Sequence, residues 1–180
     1  SRTELDELGV RSHARALQAT EEGRFEREMV PMTVGDETYM TDQGIRPGTS
    51  VETLAGLKPA FKEDGKITAG NASQVSDGAA AVMLMSREKA DELGLKARAR
   101  IVDTTTVGVD PVIMLTGPIP ATRMALKKAG LTLDQMDVIE SNEAFAAQAL
   151  TVSKVLGLDP AKTNPNGGAI ALGHPVGCSG

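Results

Sequence analysis

The sequence is short of the residues that most often carry catalysis, metal binding and base stacking. Its 180 residues include one cysteine, two histidines and no tryptophan, and aromatic residues make up only 2%. A single cysteine excludes an internal disulfide and is typical of a reducing compartment, so we expect a cytoplasmic protein. Two histidines far apart and one cysteine supply no clustered ligand set, so we expect no metal site.

Positive charge and long apolar runs are also scarce. The net charge is −5 and the pI is near 5.1, whereas nucleic-acid-binding surfaces are usually basic and often aromatic. No apolar run reaches the roughly 18 residues that would span a bilayer. We therefore expect neither nucleic acid nor a membrane as a partner. The composition, 41% apolar and 24% charged, is typical of a folded globular protein.

The two ends of the chain look like cuts. It begins at Ser1 rather than at a methionine, and it stops at Gly180 inside a glycine-rich loop. We expect an internal fragment of a longer protein. An N-terminal leader, if there was one, would lie in the part that is missing.

The first 66 residues predict one helix followed by irregular structure. Apolar residues at helical spacing in residues 1–27 predict a solvent-facing helix on which His13 has a solvated or capping role. Residues 28–66 contain many prolines and glycines and predict loops, short strands and a short helix near VETLAGL. Such a long irregular stretch is uncommon in a compact domain unless it contacts a ligand.

The remainder alternates between strand-like and helix-like segments. AAAVMLM predicts a buried helix-to-strand segment, ARARIVDTTTVGV a strand and MDVIES a short strand. SREKADELG, PIPATRMALKKAG and NEAFAAQALTVSKVLG predict helices, the first with a serine cap and the second closed by Gly130. This order predicts a layered α/β domain.

Three turn-rich segments of this half are candidate walls of a ligand pocket: TAGNAS, SNEAF and GGAIALGHPVG. In α/β folds, ligands collect at the loops beyond the strand ends. Asn142 lies between a predicted strand and a predicted helix. Its plainest role is the helix N-cap, and the alternative is an amide that holds a substrate or a water.

His174 and Cys178 lie four residues apart in the last of these loops. Both a structural and a catalytic role are open for His174, which the surrounding glycines would expose to a ligand. We expect Cys178 to be a small buried hydrophobe rather than half of a catalytic pair, because this spacing on a loop guarantees no geometry. The run lacks the GK[ST] ending of a P-loop and the spacing of a dinucleotide fingerprint.

Taken together, TAGNASQVSDGAAAV, GVDPVIMLTGPIPA, SNEAFAAQA and NPNGGAIALGHPVGCSG resemble the thiolase family in order and spacing, over essentially the whole chain. The resemblance implies part of the layered α-β-α-β-α thiolase fold. Residues 1–75 would be the C-terminal part of its loop domain, 76–97 the end of its N-terminal half, and 98–180 the start of its C-terminal half.

The resemblance implies an acyltransferase that cleaves 3-ketoacyl-CoA with CoA, or runs the reverse Claisen condensation, through an acyl-cysteine. His174 would activate the nucleophile and, with a water held by Asn142, form an oxyanion hole. No cysteine here matches either catalytic cysteine of the family. These would lie before Ser1 and after Gly180, so the 180 residues alone are predicted to be inactive.

The resemblance also implies substrate contacts. Ser73 would hydrogen-bond the pantetheine arm, Arg46 would lie at the nucleotide end of CoA, and Met114, Phe61 and Phe145 would line the pantetheine or acyl tunnel. As residue types, the last three are more often plain core. CoA and acyl-CoA would be substrates, with no permanently bound cofactor, and the complete protein would be a homodimer or homotetramer.

Two alternatives stay open. A ketoacyl synthase or hydroxymethylglutaryl-CoA synthase would share the layered fold. Synthases of the ketoacyl type carry a second histidine where this chain has Asn142, which favours thiolase. A non-catalytic CoA-binding or lipid-binding relative is the alternative of a different class.

Overall fold

The chain folds around one long helix in the computed structural model, which describes residues 1–179. This helix, α1 (Arg2–Glu21), begins with a reciprocal cap: the Ser1 hydroxyl accepts the Glu4 amide, and the Glu4 side chain accepts from the Ser1 amino group. The other elements are β1 (Met32–Val34), β2 (Glu37–Tyr39), α2 (Val51–Ala55), α3 (Arg87–Glu92), α4 (Pro118–Ala129), a 3₁₀ turn (Leu133–Gln135), α5 (Ala146–Leu156), α6 (Ala169–Leu172) and α7 (Val176–Ser179).

Helix α1 is the centre of the packed region, so the prediction of a solvent-facing helix is wrong. It packs against α2, α5 and α6. Leu5, Leu8, Ser12, Ala16 and Ala19 are buried at spacings of three and four residues. A Cβ on Gly9 would lie 2.4 Å from the carbonyl oxygen of Gly70. The helix therefore has a narrow buried stripe, and its many charges occupy the remaining surface.

The apolar core lies between α1, α5 and α6. Leu5, Leu8, Ala146 and Ile170 form its buried centre, and the partly buried residues around them are Ile67, Ala147, Ala149 and Leu150. Three of these eight side chains are alanines, which lets the helices approach closely. The core thus connects the first helix of the chain to the glycine-rich loop near its end.

The irregular region of residues 28–66 is confirmed, including its short strands and its short helix. Strands β1 and β2 form an antiparallel hairpin in which Met32 faces Tyr39 and Val34 faces Glu37. Gly35 takes φ +62° in the turn, a conformation that glycine adopts without strain. All strand residues are exposed. Helix α2 lies within the predicted VETLAGL segment, and Ser50 caps it.

Three predicted strands of the second half are not strands within residues 1–179. The AAAVMLM segment is extended but has no ladder partner, and Val82 and Leu84 are 81% and 68% exposed rather than buried. In ARARIVDTTTVGV, Ile101 is likewise 60% exposed. MDVIES contributes one parallel bridge, between Ile139 and Thr163. A strand is stable only when a neighbour completes its hydrogen bonds, and β-propensity does not supply that neighbour.

The predicted helices α3, α4 and α5 are present. The Ser86 hydroxyl caps α3, and Gly130 ends α4 with φ +67° as the sequence predicted. Helix α5 begins only at Ala146, three residues later than predicted, and ends at Gly157 with φ +71°. None of the helices described up to residue 179 combines the length and the apolar character needed to cross a membrane.

Candidate functional site

Two of the three turn-rich segments join through backbone hydrogen bonds. Ala72 and Phe145 form an antiparallel bridge. The amide of Ser73 donates to the carbonyl of Ala144 at 3.0 Å, and the amide of Ala146 donates to the carbonyl of Asn71 at 2.9 Å. TAGNAS and SNEAF therefore form one continuous surface, with Ser73 beside the residues that lead into α5.

An aromatic pair lies next to this junction. The rings of Phe61 and Phe145 meet edge to face, with centroids 5.9 Å apart and planes at 75°. Phe61 is 72% exposed, so it is not a core residue within the described part of the chain. The structure thus brings together three residues that the resemblance assigned to substrate binding: Ser73, Phe61 and Phe145.

The two other predicted substrate residues lie on separate loops. Arg46 is exposed, and its backbone amide donates to Nδ1 of His13 at 3.2 Å. Met114 is exposed on the turn before α4, with φ +34°, and its amide donates to the carbonyl of Asp110 at 2.7 Å. Neither hydrogen bond connects these residues to the aromatic pair.

His13 is buried, which corrects the expectation of a solvated or capping role. It is 5% exposed on the inward stripe of α1, and its ring nitrogen accepts the hydrogen bond from Arg46. Burial lowers the pKa of His13 below its ordinary value, and the positive charge of Arg46 lowers it further. The neutral ring required by this acceptor role is therefore favoured.

Asn142 is not a helix cap, although that was its plainest reading. The N-cap residue of α5 is Phe145, three positions later, and no side chain caps that end. Asn142 is exposed, and its side-chain amide donates to the carbonyl of Ser179 at 3.5 Å. The amide group therefore points across to the segment that follows His174.

A cleft of ≈ 380 Å³ lies at this point. Its walls are residues 140–142 on one side and 167–169, 172 and 173 on the other, with Asn164 and Ser179 completing it. His174 directly follows the last glycine of this wall. The structure thus brings SNEAF and GGAIALGHPVG together on one cleft.

The His174 ring is partly buried, and its Nδ1 is buried without a hydrogen-bond partner among the described residues. The backbone after it turns at once into α7, where the carbonyl of Pro175 accepts from the amides of Cys178 and Ser179 at 2.8 and 3.0 Å. A buried ring nitrogen without a partner is unusual in a folded protein, and it distinguishes His174 from a histidine whose hydrogen bonds are satisfied by the fold. Cys178 is partly buried on α7, and its predicted non-catalytic role stays a prediction.

The cleft also contains a weak acid that the sequence did not single out. Glu140 lines it, and burial raises the pKa of this carboxyl, with a further increase from the nearby charge of Glu143. Between residues 1 and 179, no three His, Cys, Asp or Glu side chains are grouped so that they could hold a metal ion.

Sequence reasoning missed three buried polar residues behind the cleft: Ser12, Glu143 and Asn164. The Glu143 carboxylate accepts from the Ser12 hydroxyl at 2.6 Å and from the Asn164 side-chain amide at 3.1 Å. One signal was present in the sequence. Ser12 falls on the same helical stripe as Leu5, Leu8 and Ala16, and a polar residue on such a stripe needs a buried partner.

Comparisons with known proteins cover nearly the whole chain. The family model of the thiolase N-terminal domain matches residues 1–88, and that of the thiolase C-terminal domain matches residues 95–180. An acetyl-CoA acetyltransferase of Pseudomonas aeruginosa is 54% identical over 185 residues, which cover 100% of this chain and 47% of that protein.

Two solved structures give the same result for the fold. The crystal structure of human mitochondrial 3-ketoacyl-CoA thiolase in complex with CoA is 50% identical with a TM-score of 0.97, and covers 100% of this chain and 46% of that one. The dimeric peroxisomal thiolase of Saccharomyces cerevisiae is 48% identical with a TM-score of 0.97 and the same coverage. The predicted partial layered fold is therefore confirmed. The chain spans about half the length of the relatives it matches.

Proposed function

Because the chain belongs to the thiolase family, we propose that it supplies part of the active site of an acyltransferase. The reaction is thiolytic cleavage of 3-ketoacyl-CoA by CoA, or the reverse Claisen condensation, through an acyl-cysteine. The observation that carries this proposal is the cleft where Asn142 faces the loop of His174. A ligand bound there would meet the Asn142 side chain and the backbone of Gly173, which directly precedes His174.

The chemistry assigns distinct tasks to these two residues. When a cysteine sulfur attacks the substrate carbonyl, its proton passes to the His174 imidazole and negative charge develops on the carbonyl oxygen. A donor placed to that oxygen is worth about 3 kcal/mol. Asn142, directly or through a water, provides such a donor. No cysteine of these 180 residues matches either cysteine of the family reaction, so we propose that the chain alone is inactive.

The surface formed by Ser73, Phe61 and Phe145 is our candidate for the CoA-binding wall. An aromatic pair with Phe61 exposed, beside a serine, suits the pantetheine arm, which has an apolar stem and amide groups. The human relative is described as a complex with CoA, which supports CoA binding by the complete protein. Arg46 and Met114 stay predicted contacts from the resemblance.

Other features of the complete protein are proposals of the same kind. The yeast relative is described as dimeric, which supports a homodimer or homotetramer here. The division of the chain into 1–75, 76–97 and 98–180 and the cytoplasmic location stay predictions. Coenzyme A is proposed as a substrate and not as a resident cofactor.

The test uses the complete protein and measures thiolysis of acetoacetyl-CoA by CoA. Asn142→Ala is expected to lower kcat by about 10²- to 10³-fold, because an oxyanion donor is lost. His174→Ala is expected to lower it at least as much. The melting temperature of Asn142→Ala should stay close to wild type, since Asn142 caps no helix.

Asn166→Ala is the matched control. Asn166 lies in the same glycine-rich segment as His174, but its side-chain oxygen accepts a hydrogen bond from Arg24. It is expected to retain the wild-type kcat. In the same assay Ser73→Ala should raise KM for CoA more than it lowers kcat. Wild-type turnover in both Asn142→Ala and His174→Ala would rule out the proposed active site.

A further inference from the structure

One buried carboxylate lies between the two sides of the proposed active site. Glu143 is 3% exposed and directly follows Asn142 in the chain. Its Oε2 accepts from the Ser12 hydroxyl at 2.6 Å and from the Ile170 amide at 3.3 Å. Its Oε1 accepts from the Asn164 side-chain amide at 3.1 Å. Both oxygens therefore face donors only.

These partners require a side chain at position 143 with two atoms that both accept hydrogen bonds. The Ser12 oxygen accepts from the amides of Gly168 and Ala171 at 3.1 and 3.3 Å. Two acceptors are within reach of its own hydrogen, the Glu143 carboxylate at 2.6 Å and the Gly168 carbonyl at 3.3 Å, and the shorter contact to Glu143 is the stronger one. A glutamine in either orientation would turn its NH₂ group toward one of the donors. Only a carboxylate satisfies every partner at once.

Through these bonds, Glu143 and Ser12 hold the start of α6. The amides of Gly168 and Ile170 donate to these two side chains, and the amide of Ala171 donates both to Ser12 at 3.3 Å and to the Gly168 carbonyl at 3.0 Å. A Cβ on Gly168 would lie 2.3 Å from the Glu143 carboxyl carbon, so the loop backbone lies directly against this group. Helix α6 has only four residues and is followed by Gly173 and His174. A shift of its first turn would therefore move the histidine.

The Asn142 side of the cleft is held by the same network. The Asn164 side chain accepts the amide of Ser141 and donates to the carbonyl of Ser141, both at 2.8 Å. The Asn164 amide that reaches Ser141 also donates to Glu143. Ser141 and Glu143, the two neighbours of Asn142 in the chain, are thus fixed together.

We infer that Glu143 is a positioning residue for the proposed acyl transfer: its carboxylate sets the spacing between Asn142 and His174. It acts through Ser12, Asn164 and the first turn of α6, behind the wall of the cleft. This inference rests on the proposed function. Substitutions in the buried network are therefore expected to lower kcat. Substitutions in the wall formed by Ser73, Phe61 and Phe145 are expected to weaken CoA binding.

The test is a double-mutant cycle in the complete protein with acetoacetyl-CoA and CoA. Glu143→Gln keeps the size of the side chain, and we expect it to lower kcat about 10- to 100-fold, because displacements near 1 Å have effects of that size. KM for CoA should change less than twofold. Glu143→Gln combined with Asn142→Ala should lose less kcat than the product of the two single losses, because Glu143 is proposed to act partly by holding Asn142 in place.

Asp6→Asn is the matched control. Asp6 is 1% exposed and accepts from Asn71 and Arg2, so it is a buried, hydrogen-bonded carboxylate away from the cleft. We expect the two effects to be independent: the loss of kcat in the double variant Asp6→Asn, Asn142→Ala should equal the product of the losses in the two single variants. If Glu143→Gln does not fold, Ser12→Ala takes its place in the cycle, with the same expected loss of kcat and the same non-additivity.

The outcomes separate the two proposals. A wild-type kcat in Glu143→Gln, or losses that multiply with Asn142→Ala, would overturn the positioning role while leaving the proposed function intact. A wild-type kcat in Asn142→Ala would overturn the positioning role, and a wild-type kcat in both Asn142→Ala and His174→Ala would overturn the proposed function as well. The inference is supported if Glu143→Gln lowers kcat, leaves KM for CoA nearly unchanged and is non-additive with Asn142→Ala. Asp6→Asn must in the same experiment be additive with Asn142→Ala.

Discussion

Helix α1 and the extended segments of residues 76–86 and 97–109 contrast in what they bury. Around α1 the structure encloses polar groups, among them Asp6, Ser12 and Glu143. Along the extended segments it exposes apolar side chains such as Val82 and Ile101. The charged first helix was predicted to face solvent and the apolar segment was predicted to be buried. Hydropathy alone therefore gave the wrong prediction of burial for both regions.

The difference follows from where each region finds its hydrogen-bond partners. A helix satisfies its backbone groups internally, so α1 needs only a stripe of small and apolar residues to pack against α5 and α6. A strand needs a second strand beside it. Within residues 1–179 the extended segments have no such neighbour.

The largest expected effect is on core packing. Leu8→Ala should lower the free energy of unfolding by about 2–5 kcal/mol, because Leu8 is 5% exposed at the centre of the core. Val82→Ala, at an 81% exposed site, should change it by less than about 0.5 kcal/mol. Denaturant unfolding of the purified chain measures both. Equal losses would show that Val82 is covered in solution.

A smaller effect is expected from adding one methyl group to a glycine. Gly168→Ala should destabilise by about 1–3 kcal/mol, because the new Cβ would overlap the Glu143 carboxylate and force the loop to move. Gly108→Ala in the extended region should not destabilise, since nothing lies within 4 Å of its Cβ position and its φ is not positive. Thermal unfolding of both variants compares the regions directly. A tolerated Gly168→Ala would contradict the tight contact.

The smallest effect concerns pH. Because the folded-state pKa of His13 is lowered from its ordinary 6.5, its contribution to stability is complete above about pH 6.5 and is lost as the pH falls below that value. Melting temperatures between pH 8 and pH 5 should therefore fall more steeply in the wild type than in His13→Asn, whose side-chain oxygen can still accept from Arg46. Parallel curves for the two proteins would show that His13 is not buried in solution.

Local signals predicted much of the fold. The serine cap of α3, Gly130 at the end of α4 and the short helix near VETLAGL are all present. Each depends on a few neighbouring residues, which is why the sequence was sufficient. The start of α5 was misplaced because Asn142 is a good capping residue in isolation. In the fold its segment instead pairs with residues 71–73.

The candidate site was predictable only in part. The motifs around Asn142 and His174 identified both residues, and the structure places their loops on one cleft. Their support by Glu143, Ser12 and Asn164 was not predicted. These residues lie up to 152 positions apart in the chain, as Asn164 and Ser12 do, and no local pattern links them.

The family, the helices with strong caps and the motifs that contain Asn142 and His174 could all be predicted from the sequence, because each depends on residues that are close in the chain. Which polar groups are buried and which apolar groups are exposed became clear only from the folded structure. A side chain is buried when elements distant in sequence pack over it, and that contact, as between α1 and α6, exists only in the folded chain.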